Sequence, residues 1–408
     1  MPSPFLLFEA LEPRRLLSGL PVTYSPAQIQ TAYGFNQITY DNGTVQGNGA
    51  GQTIALIEVD NDLTLNTDLM NFDAAFSLPN PGSGWSLTVT GQNGINLPNA
   101  PAEGVENAET ALDVEWAHAL APAANILVVE ANSSDNSNLY PAIYYAQSVK
   151  GVSVVSMSYT GGESSNDTNA DASVYVTPAG HTGITYVAAS GDSGTISHPS
   201  NSPSVVGVGG TSLTLGTNNT IASETAWSGS GGGYSSVESE PAYQLAVQNT
   251  GLRSTPDVSF DADPNTGFDL FYNGNSQAIT VGGTSAGAPA WAALFAIADQ
   301  GRALNGLDTL DSSSDTLPML YSLYDTPLYD SAFNDITTGG NSGYSATTGY
   351  DAVTGLGTPK ANFLAQYLAG NVSIPEPAAF TLALAAIPFL MRRPRFAGRA
   401  KATATGIE

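Results

Sequence analysis

The chain has 408 residues, of which 42% are hydrophobic, and its formal net charge at pH 7 is -25. This length and apolar content are sufficient for one large folded domain with a substantial core. Seven of the eleven basic residues lie in the two terminal segments, so the body of the chain has almost no positive charge. A basic surface that could neutralise phosphates is therefore excluded, and with it nucleic-acid binding.

The acidity and the absence of cysteine bear on where the protein works. An acidic body suits low pH, where protonation relieves the repulsion between carboxylates, although acidity also serves solubility. Without cysteine the chain has neither disulfides nor thiolate metal ligands, which permits export but does not demonstrate it.

The N-terminal leader, residues 1–20, has an apolar run that is interrupted by Glu9, Glu12 and Pro13. Such interruptions are untypical of a standard secretory signal. Its segment LEPRRLLS, residues 11–18, resembles an N-terminal motif of some exported bacterial proteins. A leader without any addressing role is the alternative.

The body, residues 21–370, alternates apolar runs of strand length with helical patterns. Most of the runs are continuous, which is typical of strands covered on both faces. The sequence therefore predicts a single α/β domain with a doubly wound, mostly parallel sheet and helices on both faces. The predicted strands are residues 53–59, 125–130, 152–158, 184–189, 204–208 and 277–281. The predicted helices are residues 65–76, 108–120, 139–149 and a helix from 289 onward, and the predicted surface loops are 161–170, 229–236 and 339–349.

Ser285 stands in the segment GGTSAGAPAW, residues 282–291, where a strand is predicted to give way to a helix. Small neighbours allow a substrate backbone to approach, and the helix N-terminus supplies backbone donors and the positive end of its dipole. Ser285 is therefore a candidate nucleophile, provided that a base lies nearby. The same pattern is also typical of an ordinary Gly-rich turn with a capping hydroxyl.

Histidines are one possible source of the base. His118 lies on a predicted helix, whereas His181 and His198 lie in loop-like segments without an evident orienting carboxylate. We predict surface or structural roles for these histidines. A subtilisin-type triad of Asp60, His118 and Ser285 remains an alternative, because Asp60 follows the first long strand.

Carboxylates are the other possible source. Glu109 and Asp113 are four residues apart, so they share one face of their helix. Glu109 can accept the Ser285 proton while Asp113 orients Glu109 and shares its proton. By spacing alone Glu106 competes with Glu109, and acids are also common at helix starts.

Asp192 follows the predicted strand 184–189 in the segment SGDSG. As a neutral acid it can donate a hydrogen bond to a developing oxyanion, together with the backbone N–H of Ser285. The alternative is a turn-forming aspartate between two glycines.

Glu109, Asp113, Asp192 and Ser285, with their local motifs, resemble the sedolisin family of serine-carboxyl peptidases. The likeness covers nearly all of residues 24–365 and includes GQTIALIEVD, VAASGDSG, GGTSAGAPAW and GYDAVTGLGTP. It implies a subtilisin-like fold and an acid endopeptidase that forms an acyl-enzyme on Ser285. It also implies Glu109, in preference to Glu106, as the base, Asp113 as its partner and Asp192 as the oxyanion stabiliser. An acidic optimum suits this chemistry, because Asp192 donates only while protonated and a carboxylate base works below the range of histidine.

The same resemblance implies one structural calcium ion in the loops of residues 331–359. The implied ligands are the side chains of Asp335 and Asp351 and the backbone carbonyls of Ile336, Thr347 and Gly349. All five supply oxygen, as calcium requires. Thr347 stands where the family usually has glycine, and turn capping is the alternative role for the two aspartates.

The C-terminal tail, residues 371–408, has a Pro-Glu-Pro turn, an apolar run at 378–391 and an arginine cluster. The run is short for a membrane span, which needs about 20 residues. The arrangement resembles the bacterial PEP-CTERM sorting signal, which implies export and sorting machinery as partners, transient membrane association and removal of the tail. A buried C-terminal helix is the alternative.

We expect an exported monomer, extracellular or in the cell envelope, that acts on proteins or peptides. Sedolisins usually have a long N-terminal prodomain, whereas here the peptidase-like region begins shortly after Ser18, so we do not expect activation by release of a large propeptide. This feature and the tail leave one non-enzymatic alternative, an inactive peptidase-like binding protein of the cell envelope.

Overall fold

The structure is a computed structural model, and it describes residues 21–99 and 105–374. The predictions for the leader, 1–20, and for the tail beyond residue 374 lie outside the described residues. Among the described residues, none of the helices combines the length and the apolar character that a membrane span requires.

The strands and helices follow the predicted alternation. The strands are β1 Val22–Tyr24, β2 Thr39–Tyr40, β3 Val45–Gln46, β4 Thr53–Val59, β5 Leu87–Gly91, β6 Asn125–Ala131, β7 Val152–Met157, β8 Thr185–Ala189, β9 Val206–Leu215, β10 Ile221–Ala226, β11 Gly233–Ser239, β12 Leu252–Thr255, β13 Val258–Asp261, β14 Thr266–Leu270, β15 Ile279–Val281, β16 Phe333–Asn334 and β17 Thr358–Pro359. The helices are α1 Pro26–Tyr33, α2 Leu65–Phe76, α3 Val105–Leu120, α4 Asn136–Ser148, α5 Asp167–Val174, α6 Gly287–Leu304, α7 Leu317–Ser322, α8 Tyr329–Ala332 and α9 Ala361–Leu368.

The central sheet has eight strands in the order β10-β9-β8-β7-β4-β6-β5, with β13 also paired to β9. All of its pairs are parallel except β9 with β10. Because β4 lies between β6 and β7, both of its edges are hydrogen-bonded. Its carboxyl end therefore opens at the middle of the sheet, where ligands bind in parallel α/β folds.

Each face of the sheet packs against helices. Ile54 and Leu56 of β4 belong to the core that contains α3 and α6, whereas Ala55 and Ile57 belong to the core that contains α4. This alternation follows from the two-residue period of a strand, and burial on both faces explains why the run is continuously apolar. The predicted doubly wound α/β domain with a mostly parallel sheet is confirmed.

The strand before Ser285 differs from the prediction. We predicted residues 277–281 as part of the parallel pattern, but the observed strand is shorter, Ile279–Val281, and pairs antiparallel with β14 in a separate sheet. The reason is the short connection from β14, residues 271–278, because a short loop can join only antiparallel neighbours.

Two of the predicted surface loops contain regular structure. Helix α5 begins at Asp167, inside the stretch 161–170, and strand β11 begins at Gly233, inside the stretch 229–236. Polar composition alone did not indicate these elements, because they are stabilised by tertiary contacts such as that between Thr168 and Glu238, 2.7 Å apart.

Candidate active site

Ser285 lies in a single 3-10 turn, Thr284–Ala286, that leads directly into α6. Helix α6 is buried from Gly287 through Gly301, so it fixes the turn firmly against the sheet. The Ser285 hydroxyl donates to the carbonyl of Ser158, which follows β7, over 3.3 Å. This bond is long, so it restrains the hydroxyl only weakly, and the proton stays available to a stronger acceptor.

Glu109 lies on α3 within hydrogen-bonding reach of the Ser285 hydroxyl. Burial and the charge of Asp113 raise the pKa of Glu109 well above its usual value, while the interaction with Ser285 favours the charged carboxylate. The structure therefore brings together the predicted nucleophile and the predicted base. The side chain of the competing Glu106 lies outside the described part of the chain.

Asp113 is fully buried one turn further along α3. The Ser158 hydroxyl donates to its Oδ2 over 2.7 Å and also lies 3.3 Å from the Ser285 carbonyl. Burial raises the pKa of Asp113 to about 7, and hydrogen bonds with Ser158 and Glu58 partly offset this rise. Ser158 thus links the carboxylate helix to the turn that contains Ser285.

Glu58 is a further carboxyl in this cluster that the sequence analysis did not identify. It lies on β4, is 3% exposed, and shares a hydrogen bond with Asp113. Burial and the charges of Asp113 and Glu109 raise the pKa of Glu58 well above its usual value. A hydrogen bond between two carboxyl groups requires a proton, so the pair Glu58–Asp113 stores one. The available signal was a lone acid in the otherwise apolar strand TIALIEV.

Asp192 follows the carboxyl end of β8 and contacts the residue before Ser285. Its Oδ1 accepts hydrogen bonds from the backbone N–H and the hydroxyl of Thr284, over 2.8 and 2.9 Å. The charge of Asp192 is also felt by Glu109, whose pKa it raises. Glu109 and Asp192 therefore lie at the turn that contains Ser285, and Asp113 is linked to it through Ser158.

His118 is not part of this site. Its ring is fully buried, stacks on Trp85 with ring centroids 4.1 Å apart, and places Nε2 3.2 Å from Asp73 Oδ1. Nine residues beyond Glu109, it lies roughly 13 Å further along α3. The structure therefore gives no support to the triad of Asp60, His118 and Ser285.

His198 has an orienting carboxylate, although none was evident in the sequence. It is 6% exposed, and its Nε2 lies 3.0 Å from Asp171 Oδ1 on α5. The two residues are 27 positions apart in sequence, so only the fold brings them together. His181 lies in a partly buried loop segment, as predicted.

The predicted calcium residues lie in adjoining loops. Both carboxylate oxygens of Asp335 accept from the N–H of Gly349, over 3.0 and 3.1 Å, and Asp351 Oδ2 accepts from the N–H of Thr347 over 3.0 Å. Two carboxylates thus reach the loop that contains the predicted carbonyl ligands of Thr347 and Gly349, the carbonyl of Ile336 follows Asp335 directly, and this all-oxygen chemistry fits calcium. Among residues 21–99 and 105–374, no group of three or more His, Cys, Asp or Glu side chains could hold a metal ion. The predicted set has only two such side chains.

Comparison with known proteins agrees with this arrangement. Residues 90–312 match the family described as the Subtilase family. Kumamolisin from Bacillus sp. (strain MN-32) is 32% identical over 89% of this chain and 67% of its own length. Sedolisin from Pseudomonas sp. (strain 101) is 27% identical over 88% of this chain and 63% of its own length. Tripeptidyl-peptidase 1 from Bos taurus is 30% identical over 43% of this chain and 36% of its own length.

A solved structure is also similar to this chain. Pseudomonas sedolisin, a serine-carboxyl proteinase complexed with two molecules of pseudo-iodotyrostatin, superposes with a TM-score of 0.72 and 26% identity. The alignment covers 86% of this chain and all of that one. The chain spans about two thirds of the length of kumamolisin and somewhat less of sedolisin.

A subtilisin-like α/β domain with a serine at the start of its buried helix, facing carboxyl groups, defines a serine peptidase of the subtilase type. The chain belongs, within that class, to the sedolisin family of serine peptidases. The resemblance inferred from the sequence motifs is thereby confirmed. The PEP-CTERM-like signal remains a prediction, since residues 375–408 lie outside the described part.

Proposed function

We propose that the protein is an acid-acting serine-carboxyl endopeptidase in which Ser285 is the nucleophile and Glu109 the base. The observation that supports this most directly is the carboxyl cluster beside the Ser285 hydroxyl: Glu109 interacts with that hydroxyl, the charge of Asp113 acts on Glu109, and Asp113 shares a hydrogen bond with Glu58. It supplies a proton acceptor next to the hydroxyl and buried carboxyls behind it that exchange protons.

The proposed reaction forms an acyl-enzyme on Ser285, which water then hydrolyses. Ser285 Oγ attacks the peptide carbonyl carbon while Glu109 takes the hydroxyl proton, and the carbonyl oxygen becomes an oxyanion. Neutral Asp192 and the backbone N–H of Ser285 donate hydrogen bonds to that oxyanion. Glu109 then returns the proton to the leaving amine, the C–N bond breaks, and an acyl-enzyme remains. Water releases the acyl group by the same steps.

The proton on Asp192 accounts for the proposed preference for acid. Asp192 donates a hydrogen bond to the oxyanion only while it is protonated, and a carboxylate base works below the range of histidine. As the pH rises, Asp192 ionises and the oxyanion loses this donor. We therefore expect activity at about pH 3 to 5 that is lost toward neutral pH.

The test uses purified protein and a peptide library at pH 3 to 8. We expect Ser285→Ala and Glu109→Gln to abolish cleavage in acid, while Ser156→Ala, a buried serine on β7, serves as the control. Full activity of Ser285→Ala would refute the assignment. Peptide binding without cleavage at every pH, and no reaction with a peptide aldehyde, would instead favour the inactive binding protein.

Endopeptidase action is a separate part of the proposal, because the relatives include tripeptidyl-peptidases. A substrate with an acetylated N-terminus distinguishes the two activities. Internal cleavage of the blocked peptide, detected by mass spectrometry, is expected of an endopeptidase. Release of successive tripeptides from the unblocked peptide alone would contradict it.

We also propose one structural calcium ion, held by the carboxylates of Asp335 and Asp351 and the carbonyls of Ile336, Thr347 and Gly349. When bound, it would neutralise the two carboxylates and stiffen these loops. The loop that precedes Thr347 also contacts the loop of Asp192. Ser342 Oγ donates to the carbonyl of Gly194, two residues after Asp192, over 3.1 Å.

Calorimetric titration with Ca²⁺ tests this ion independently of activity. We expect binding and a raised unfolding temperature for the wild type and for Asp330→Asn, whose side chain is exposed in the adjacent helix. Asp351→Asn should lose both effects. An unchanged response of Asp351→Asn would overturn the proposed ligand set.

The remaining proposals concern location and partners. The leader and tail motifs support export to the envelope or the medium, association with export and sorting machinery, and a monomer that acts on protein or peptide substrates. Mass spectrometry of the secreted protein would test whether the tail is removed.

A further inference from the structure

Thr284, which immediately precedes Ser285, holds the side chain of Asp192 at two points. Its backbone N–H donates to Asp192 Oδ1 over 2.8 Å, and its hydroxyl donates to the same oxygen over 2.9 Å. The hydroxyl oxygen in turn accepts from the backbone N–H of Gly191 over 2.9 Å. Thr284 is 1% exposed, so water does not compete for these bonds.

The chemistry of the groups determines the direction of each bond. A backbone N–H can only donate, so the N–H of Gly191 must use a lone pair of the Thr284 hydroxyl. The single hydroxyl proton is then left to point at Asp192. Oδ1 therefore accepts two hydrogen bonds, which suits the carbonyl-type oxygen of a neutral carboxylic acid. The proton of neutral Asp192 is assigned to the other oxygen, Oδ2.

Oδ2 lies against the chain segment that contains the nucleophile. A Cβ atom placed on Gly283 would lie 2.6 Å from Asp192 Oδ2, which no real Cβ contact permits. The φ angle of Gly283 is 129°, a conformation open to glycine and rarely to other residues. Glycine at this position thus lets Asp192 approach the turn that starts at Thr284.

We propose that Thr284 is a positioning residue for the reaction: it locks Asp192 so that the Oδ2 proton points to the oxyanion formed when Ser285 attacks. This inference rests on the proposed roles of Asp192 and Ser285. The Thr284 hydroxyl does not touch the substrate, because it is buried and both of its hydrogen-bonding functions are used inside the protein. It acts only by fixing which carboxyl oxygen donates and in which direction.

The pH dependence gives this role a signature that simple loss of stability lacks. Hydrogen bonds donated to a carboxyl group favour its charged form, so Thr284 orients Asp192 and also makes it easier to ionise. Glu109 on α3 is the titratable group that faces Asp192, and it stays in place in the variants below. Removing the hydroxyl should therefore lower the rate and shift the high-pH limb of the activity profile to higher pH.

The test compares Thr284→Val, which removes the hydroxyl at nearly constant volume, with Thr284→Ser, which keeps it. For T284V we expect kcat to fall about 10- to 100-fold with little change in KM, because misorienting one oxyanion donor acts mainly on the transition state. T284S should recover the rate to within about threefold. Thr280→Val, on the strand that leads to the same turn, is the matched control.

Rates are normalised to the concentration of folded sites, titrated with a peptide aldehyde, and Thr284→Ala provides a second hydroxyl-free variant if T284V does not fold. Equal kcat and equal pH profiles for T284A or T284V and T284S would overturn the inference. Ser285→Ala and Asp192→Asn run in the same assay separate the two proposals. If they remain active, the proposed function fails; if they are inactive while T284V is normal, only the positioning role fails.

Discussion

Three carboxyl groups, those of Glu58, Glu109 and Asp113, cluster next to Ser285 and influence one another's protonation. Burial raises the pKa values of Glu58 and Glu109 well above their usual range and that of Asp113 to about 7. Neighbouring carboxylates at low dielectric cannot all be charged, so the group titrates as a unit. The Ser285 hydroxyl beside Glu109 favours the charged form of Glu109. That charge state is the one that a general base requires.

At this scale we predict that Glu58→Gln lowers kcat in acid by about tenfold or more, since glutamine cannot exchange a proton with Asp113. KM should change little, because Glu58 lies behind Asp113 and away from the substrate. Steady-state kinetics at pH 4 measure both constants. Glu130→Gln is the control: it is a buried acid paired with Glu58 across β4 and β6, and its Oε1 accepts from the N–H of Asp62 instead. Equal losses in the two variants would refute a specific role for Glu58.

At the scale of elements, two loops next to the site are tied together away from the sheet. Gly161, after β7, and His198, after β8, form a backbone bridge with hydrogen bonds of 2.7 and 2.8 Å. The His198 side chain extends the link to Asp171 on α5. Glu163 adds hydrogen bonds from Asn201 over 2.8 Å and from the backbone N–H of Ser236 over 3.1 Å. This network joins the segment after Ser158 to the segment after Asp192.

We predict that His198→Gln lowers the free energy of unfolding by about 2 kcal/mol, because it breaks a buried hydrogen bond and leaves Asp171 Oδ1 without that partner. Urea denaturation at pH 5 measures the change. His181→Gln, in a partly buried loop, should change the free energy by no more than about 0.5 kcal/mol. If both variants have the same stability, the contact between His198 and Asp171 contributes nothing.

At the scale of the whole molecule, buried acids outnumber their basic partners. Burial raises the pKa of Glu130 to about 8, and burial together with Asp68 and Asp73 raises that of Glu115 well above its usual value. His118 lies beside Asp73, and the buried Arg253 is paired with Asp257 over 2.6 Å. The native state therefore holds protons on carboxyl groups that the unfolded chain would release.

This imbalance predicts that acid stabilises the fold. A carboxyl group with a raised pKa binds its proton more tightly in the folded chain, so its contribution is fully present below about pH 4 and is lost as the pH rises through the folded pKa. With Asp113 near 7 and Glu130 near 8, we expect the unfolding temperature to fall by roughly 10 °C or more between pH 4 and pH 8. Scanning calorimetry measures this, and Glu130→Gln should flatten the upper part of the curve. A midpoint that rises toward neutral pH would contradict the prediction.

The sequence alone determined the parts of this protein that depend on local pattern. The bounds of β4 and α2 are those predicted, because hydrophobic period and strand length are properties of neighbouring residues. The small residues around Ser285 and the spacing of Glu109 and Asp113 are equally local, so the candidate site could be named before any contact was known. Their roles in catalysis stay predictions until the variants are measured.

Only the tertiary structure decided which distant residues meet. It placed Glu58 behind Asp113, paired His198 with Asp171, and paired the strand before Ser285 antiparallel with β14 in a separate sheet. It also showed that Thr284 donates to Asp192 and that Gly191 donates to the Thr284 hydroxyl, although Thr284 lies 92 positions after Asp192. Strand order and helix packing set these contacts, and no local period in the sequence encodes them.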